Sequence, residues 1–165
     1  MNSFLKNWVK RLFRLMRRKD KQLTITECEE VLAKGEHGVL ATINENGYPY
    51  VTPLNFVYFN NVLYFHSALE GEKLDNISEC NKVSFCVSTD VELLADKFDT
   101  NYKSVVLFGR AEEIFGVEKD NALLELIKKY SPEYIEQGEK YIARMKEKAR
   151  VVKINVEHLT GKAQV

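Results

Sequence analysis

The sequence predicts a mainly β protein with α-helices, built as an antiparallel barrel with helices at its periphery. Three observations point there. Strand-like runs recur with tight turns between them, as in "HGVLATI", "NENG" and "YPYVTPLNFVYF". Few of these runs are separated by a full crossover helix, which argues against a doubly wound parallel sheet. Aromatic residues are plentiful, with eight Tyr and nine Phe in 165 residues, and aromatics suit strands or a planar ligand.

The elements follow in order. Residues 2–18 carry Phe4, Leu5, Trp8, Val9, Leu12, Phe13 and Met16 at helical steps, with Lys6, Lys10, Arg14 and Arg17 on another face. This reads as an amphipathic helix that packs on the protein or a second subunit, lies on an anionic membrane surface, or extends upstream of a start at Met16. "TITECEEVLAKG" reads as a helix capped by Thr24 or Thr26, with Gly35 at its end. "HGVLATI", "YPYVTPLNFVYF" and "VLYFHSA" are the first three strands, joined by the turns "NENG" and "NN". Pro49 and Pro53 cannot donate to a sheet ladder, so they mark an edge, a bulge or a strand end. "GEKLDNISEC" is a short helix and "NKVSFCVST" a fourth strand, followed by a charged loop over 90–101. "YKSVVLFGRAEEIF" is a fifth strand in which Gly109 signals a bulge or a close backbone approach. A helical stretch broken near Ser131 and Pro132 leads to a sixth strand and a tail.

Charge separates the chain into two parts. Residues 1–21 hold eight basic residues against Asp20 alone, a net of +7, which leaves −7 for the remainder of a chain of zero net charge. The division is residues 1–21, a basic amphipathic arm, and residues 22–165, the barrel domain. A mildly acidic body disfavours nucleic acid as a partner. Cys28, Cys80 and Cys86 form no C-x-x-C pair, as expected of buried thiols in a cytoplasmic protein. No apolar run is long enough to span a membrane, so the arm at 2–18 is the place for any peripheral membrane contact. No metal-ligand spacing, P-loop or G-x-G-x-x-G occurs.

What remains is a set of residues suited to an anion and a flat ring. In "HSALEGEK", Ser67 supplies a hydroxyl, the amides beyond it open a helix, and Lys73 supplies a charge. The backbone of "PYVTPLNF" up to Asn55 could meet the polar edge of a heterocycle with Leu54 against its face; alternatively Val51, Leu54 and Phe56 are core. His66, on the opposite strand face from Phe65, could bind an anion or donate a proton, or merely hydrogen-bond within the barrel. Lys103, Ser104 and Arg110 could reach a phosphate, those at 103–104 from a neighbouring subunit; alternatively they sit on a solvated strand edge. His37 and His158 have no identifiable partner.

Four segments, "MRRKDKQLT" (16–24), "GVLATINENGYPYVTPLNFVY" (38–58), "LYFHSALEGEKLDNI" (63–77) and "YKSVVLFGRAEEI" (102–114), resemble the flavin-binding split-barrel proteins related to pyridoxamine 5'-phosphate oxidase. The closest branch in likeness is the nitroimidazole-resistance (Nim-type) proteins. The resemblance covers roughly residues 16–160. It implies a six-stranded antiparallel split barrel, a homodimer, and FMN at the dimer interface. Tyr50, Val51, Thr52, Pro53 and Leu54 would follow the flavin ring and ribityl chain. His66, Ser67 and Lys73 would hold the phosphate side or the adjoining pocket, with His66 facing a small aromatic substrate as the catalytic residue. The oxidase's basic pair is reduced to Lys73, and its C-terminal substrate motif is replaced by "HLTGKAQV", so vitamin B6 oxidation is disfavoured. The expected activity is FMN-dependent reduction of small aromatic or nitro compounds; the alternative is a flavin- or haem-binding module without turnover.

Overall fold

The computed structural model describes residues 13–165. Seven strands and four α-helices follow one another: α1 (Ile25–Lys34), β1 (Gly38–Ile43), β2 (Pro49–Leu54), β3 (Val57–Phe59), β4 (Val62–Ser67), α2 (Glu72–Glu79), β5 (Lys82–Leu94), β6 (Asp99–Ile114), α3 (Gly116–Tyr130), α4 (Ile135–Met145) and β7 (Arg150–Gln164). All strand pairs are antiparallel and form one sheet of order β2-β1-β5-β6-β7-β4-β3. Side chains from β1, β4, β5, β6 and β7 share one core with α1 and α2, and Leu54 of β2 and Tyr58 of β3 pack on it. A flat sheet could not bring both of its rims to one core, so the sheet is rolled. It stays unclosed, because β2 and β3 each pair on one side only.

Strand number is the first correction: seven strands in an unclosed sheet, where six in a barrel were expected. The run "PYVTPLNFVYF" is two strands because Phe56 turns its backbone away from the ladder. The Phe56 amide donates to the Tyr130 hydroxyl at 2.9 Å, and that hydroxyl is also within bonding distance of the Phe56 carbonyl, 2.9 Å, and the Glu36 carbonyl, 2.7 Å. The charged loop expected over 90–101 is mostly strand. β5 and β6 continue past a bulge between Thr89 and Glu92 into a long hairpin with a single 3-10 turn at Ala95–Lys97. The amphipathic helix expected at 2–18 lies mostly outside the described residues; its described part, 13–18, is bends and irregular chain ahead of a 3-10 turn at Lys19–Lys21. Phe13 there lays its ring on His158, with centroids 4.5 Å apart, so tertiary packing replaces helical pairing.

Other local expectations hold with identifiable causes. Thr24 caps α1 in a reciprocal box, its hydroxyl accepting from the Glu27 amide while the Glu27 carboxylate accepts from the Thr24 amide. Asn60 and Asn61, at φ 52° and 62°, form the two-residue hairpin turn between β3 and β4. Pro49 and Pro53 lie on β2, a rim strand. Gly109 sits at a β6–β7 register shift between Phe108 and Gly109.

Lys129, beside Tyr130, clamps the same corner. Its ammonium stands 3.9 Å from the centre of the Phe56 ring and donates to the Leu32 carbonyl at 3.3 Å. Burial pushes its pKa down to about 8. Between that value and the ordinary lysine value, the unfolded chain binds a proton that the folded chain has released, so stability rises with pH across that window. The rise is expected to be on the order of 1–2 kcal/mol after discounting for partial solvent access. Lys129→Met removes it. Urea titrations of both proteins from pH 7 to 10.5 measure the effect; parallel stability profiles would contradict it.

Candidate functional site

The site forms at one end of the rolled sheet, where β2, the end of β4 and α2 meet. Strand alternation divides the β2 residues between two faces. Tyr50, Thr52 and Leu54 are half-buried and face inward, opposite Thr42, Leu40 and Gly38 of β1; Val51 and Pro53 are exposed on the outer face. Asn55 follows, half-buried, just past the strand end. A short polar chain fixes β2 against α2. The Asn76 amide nitrogen donates to the Thr42 hydroxyl at 3.0 Å, and that hydroxyl donates to the Tyr50 carbonyl at 3.4 Å. Asn76 was not anticipated, although its stripe with Lys73, Ile77 and Cys80 has helical spacing.

β4 feeds the other wall. Leu63 and Phe65 pack in the main core, so Ser67 follows them inward, while Tyr64 packs in a second cluster with Ala122 and Leu126 of α3. His66 is therefore on the helix-facing side and Ser67 on the barrel side. After Ser67 the chain turns through Gly71, at φ 143°, which needs glycine's freedom. α2 then begins without a side-chain cap, and Lys73 lies half-buried in its first turn. The His66 imidazole is partly desolvated and lies near Lys73, and both effects hold its pKa below the usual histidine value.

Two side chains in this region are chemically incomplete. The hydroxyls of Thr52 and Ser67 are buried and have no hydrogen-bond partner. An unpaired buried hydroxyl costs about 1–3 kcal/mol; Thr52 lies on β2 and Ser67 at the end of β4, and the Thr89 hydroxyl of β5 is buried and unpaired as well. Thr52 and Ser67 both belong to the set read from the sequence.

The remaining sequence candidates do not converge there. Lys103 and Ser104 pair with Thr89 and Ser88 at the far end of β6, seven residues from Arg110. At ~3.3 Å per strand residue, that is roughly 23 Å. Arg110 lies at the near end but on the outer face, ion-paired with Glu157 at 2.7 Å and donating to Asn81 at 3.3 Å. Within one subunit, Tyr50 is tied to α2 through Thr42 and Asn76 and His66 lies near Lys73, whereas Lys103 and Ser104 lie far along β6 and Arg110 is bonded to Glu157 and Asn81.

Residues 24–163 match the family model described as pyridoxamine 5'-phosphate oxidase. The chain belongs to that family. Solved structures similar to it carry the same fold. A candidate 5-nitroimidazole antibiotic resistance protein from Bacteroides thetaiotaomicron is 24% identical, covers 86% of each chain and has a TM-score of 0.70. An FAD-binding protein from Mesorhizobium loti is 25% identical over 88% of this chain and 98% of its own, at a TM-score of 0.64. A flavocytochrome from Azotobacter vinelandii is 23% identical over 92% of this chain and 73% of its own, at 0.78. No curated protein matches the sequence. Among the described residues, no group of acidic, His and Cys side chains is placed to hold a metal, and no helix is long and apolar enough to cross a membrane.

Proposed function

We propose that this member of the family is a flavoprotein that holds FMN between β2 and the β4–α2 turn and reduces small aromatic or nitro compounds. The observation that carries this reading is that the hydroxyls of Thr52 on β2 and Ser67 at the end of β4 are buried without a partner. A ligand bearing both hydroxyl groups and an anion suits them, and the flavin-binding neighbours supply the precedent. In this reading the backbone of Tyr50 to Asn55 lies along the ring, and Ser67, the first amides of α2 and Lys73 receive the phosphate. His66, beside Lys73 at the rim, faces the substrate. A bound flavin supplies the electron transfer; the protein supplies position and electrostatics. The test is the visible absorption spectrum of the purified protein, with a mass spectrum of what denaturation releases. A yellow protein yielding FMN supports the reading; a colourless protein that takes up no added flavin refutes it.

A second reading is a flavin- or haem-binding module without turnover. One observation favours it: Lys73 is the single cation of the proposed site, since Arg110 is committed to Glu157. Stopped-flow reduction by NADH or NADPH, followed by mixing with a nitroaromatic, separates the two.

The reading includes a homodimer. The outer face of β1 and β2 exposes Val39, Ile43 and Val51, with Val51 60% exposed, and Phe108 of β6 lies on the same face. Exposed apolar residues grouped on one sheet face are common at interfaces. Lys103 and Ser104, distant from the site within one chain, would then approach the partner's site. Val51→Arg is expected to convert dimer to monomer, read by light scattering coupled to gel filtration. A wild-type monomer at micromolar concentration would exclude the dimer.

A further inference from the structure

A cavity lies at the end of β4, roofed by α3 and α4, with His66, Ser67 and Ala68 in its wall. Its volume is about 290 Å³, and its lining includes Leu126 and Ile127 of α3, Ile142 and Met145 of α4, and His66 of β4 with Lys148. That is about ten water volumes, near the lower end of small-ligand pockets. The roof is pinned at both ends. Gly138 of α4 approaches α3 so closely that a Cβ there would stand 2.5 Å from Ile127 Cγ2. Further along, Lys146 pairs with Asp120 at 2.8 Å and Lys119 donates to the Ala149 carbonyl at 2.7 Å. Between these pins the helices cannot settle onto the sheet, so the cavity is preformed.

Its polar lining residues are His66, Ser67, Tyr141, Lys146 and Lys148, and no carboxylate lines it. Lys146 is occupied by Asp120, whereas the Lys148 ammonium has no ion-pair partner among the described residues. An apolar chamber with a histidine and an uncommitted ammonium, and nothing acidic, matches an amphiphilic anion. A neutral ligand would leave the ammonium unused, and a cation would be repelled.

We propose that the cavity beneath α3 and α4 binds a small hydrophobic carboxylate, an aromatic or medium-chain acid, with its apolar body between Leu126 and Ile142 and its carboxylate on His66 and Lys148. The cavity adjoins the proposed flavin site and shares His66 and Ser67 with it, while Leu126 and Ile127 of α3, Ile142 and Met145 of α4 and Lys148 belong to the cavity alone. The proposal does not require a bound flavin.

The probe is 2-naphthoate, titrated calorimetrically into the full-length protein beside its neutral analogue 2-naphthamide. Saturable one-to-one binding is expected, with the acid at least tenfold tighter than the amide. Lys148→Gln, an exposed substitution that leaves the fold intact, should erase most of that preference. Ile142→Trp should fill the chamber and weaken both ligands at least tenfold, with a thermal melt confirming folding. Amide nuclear magnetic resonance shifts should move at His66, Ile142 and Met145. Absence of saturable binding by the wild type, equal affinity for acid and amide, an unchanged preference in Lys148→Gln, or shifts confined to Tyr50 and Thr52 would each overturn the proposal.

Discussion

Lys73→Ala is expected to weaken flavin binding about 10- to 100-fold, the loss of one charge-assisted hydrogen bond worth ~1–3 kcal/mol. The ammonium lies in the first turn of α2, close enough to His66 to lower its pKa. The helix start there has no side-chain cap. With the lysine gone, a phosphate would still meet the backbone amides and Ser67, so affinity falls without vanishing. Equilibrium dialysis or fluorescence quenching of free flavin gives the constant. A control comes from Arg110→Ala. Its guanidinium is already bonded to Glu157 and Asn81 on the outer face, so flavin affinity should change less than twofold. Equal loss in both variants would place the anion elsewhere, and no loss in Lys73→Ala would remove that residue from the site. Removing the Lys73 charge also removes one of the two causes that lower the His66 pKa. The imidazole should therefore titrate closer to the ordinary histidine value in this variant, an independent reading by nuclear magnetic resonance that needs no ligand.

Gly109→Ala should be the most damaging single-methyl change in the sheet. A Cβ there would sit 2.8 Å from Ile154 Cγ2 and even closer to the Asn155 carbonyl oxygen, and a backbone carbonyl in a ladder cannot swing aside. Gly109 pairs with Val156 where the register slips and Glu157 is left unpaired in the ladder. The added methyl must therefore push β7 from β6 at the point that aims Glu157 at Arg110. The expected cost is about 2–4 kcal/mol. For a domain of this size that lowers Tm by very roughly 5–15 °C. Calorimetry checks it; a Tm within about two degrees of wild type would show that the strands separate freely. By contrast, alanine at Gly47, in the open "NENG" turn, meets no atom and pays only for its φ of 80°.

Much of this architecture could be read directly from residue order. Turn chemistry at Asn60–Asn61, the Thr24 cap, the helix break at Pro132 and the bulge at Gly109 are local signals, and each appears where its chemistry predicts. The errors are all long-range. Nothing near Phe56 reveals that Tyr130, 74 positions away, will take its backbone amide and end β2. The alternation of "VSTDVELL" is too polar to show that β5 continues beyond Thr89, since both faces of that hairpin are wet. Of the helix that periodicity suggests over 2–18, only 13–18 is described, and there Phe13 gains a stacked partner in His158 instead. For the site, the residue types around "YFHSALEGEK" and "PYVTPL" were legible, and their faces follow from strand alternation. The commitment of Arg110 to Glu157 and the chain Asn76–Thr42–Tyr50 depend on tertiary contacts that no local pattern encodes.

The prolines of β2 have a consequence for colloidal behaviour. A rolled sheet that never seals leaves two rims of unsatisfied amides and carbonyls, and such rims recruit foreign strands into fibrils. One rim here is only three residues long, Val57–Phe59. The other carries Pro49 and Pro53 in six residues, so two of its positions have no N–H to offer an incoming strand. The molecule can thus leave its sheet unclosed and still resist polymerising through that gap at the concentrations a cell imposes.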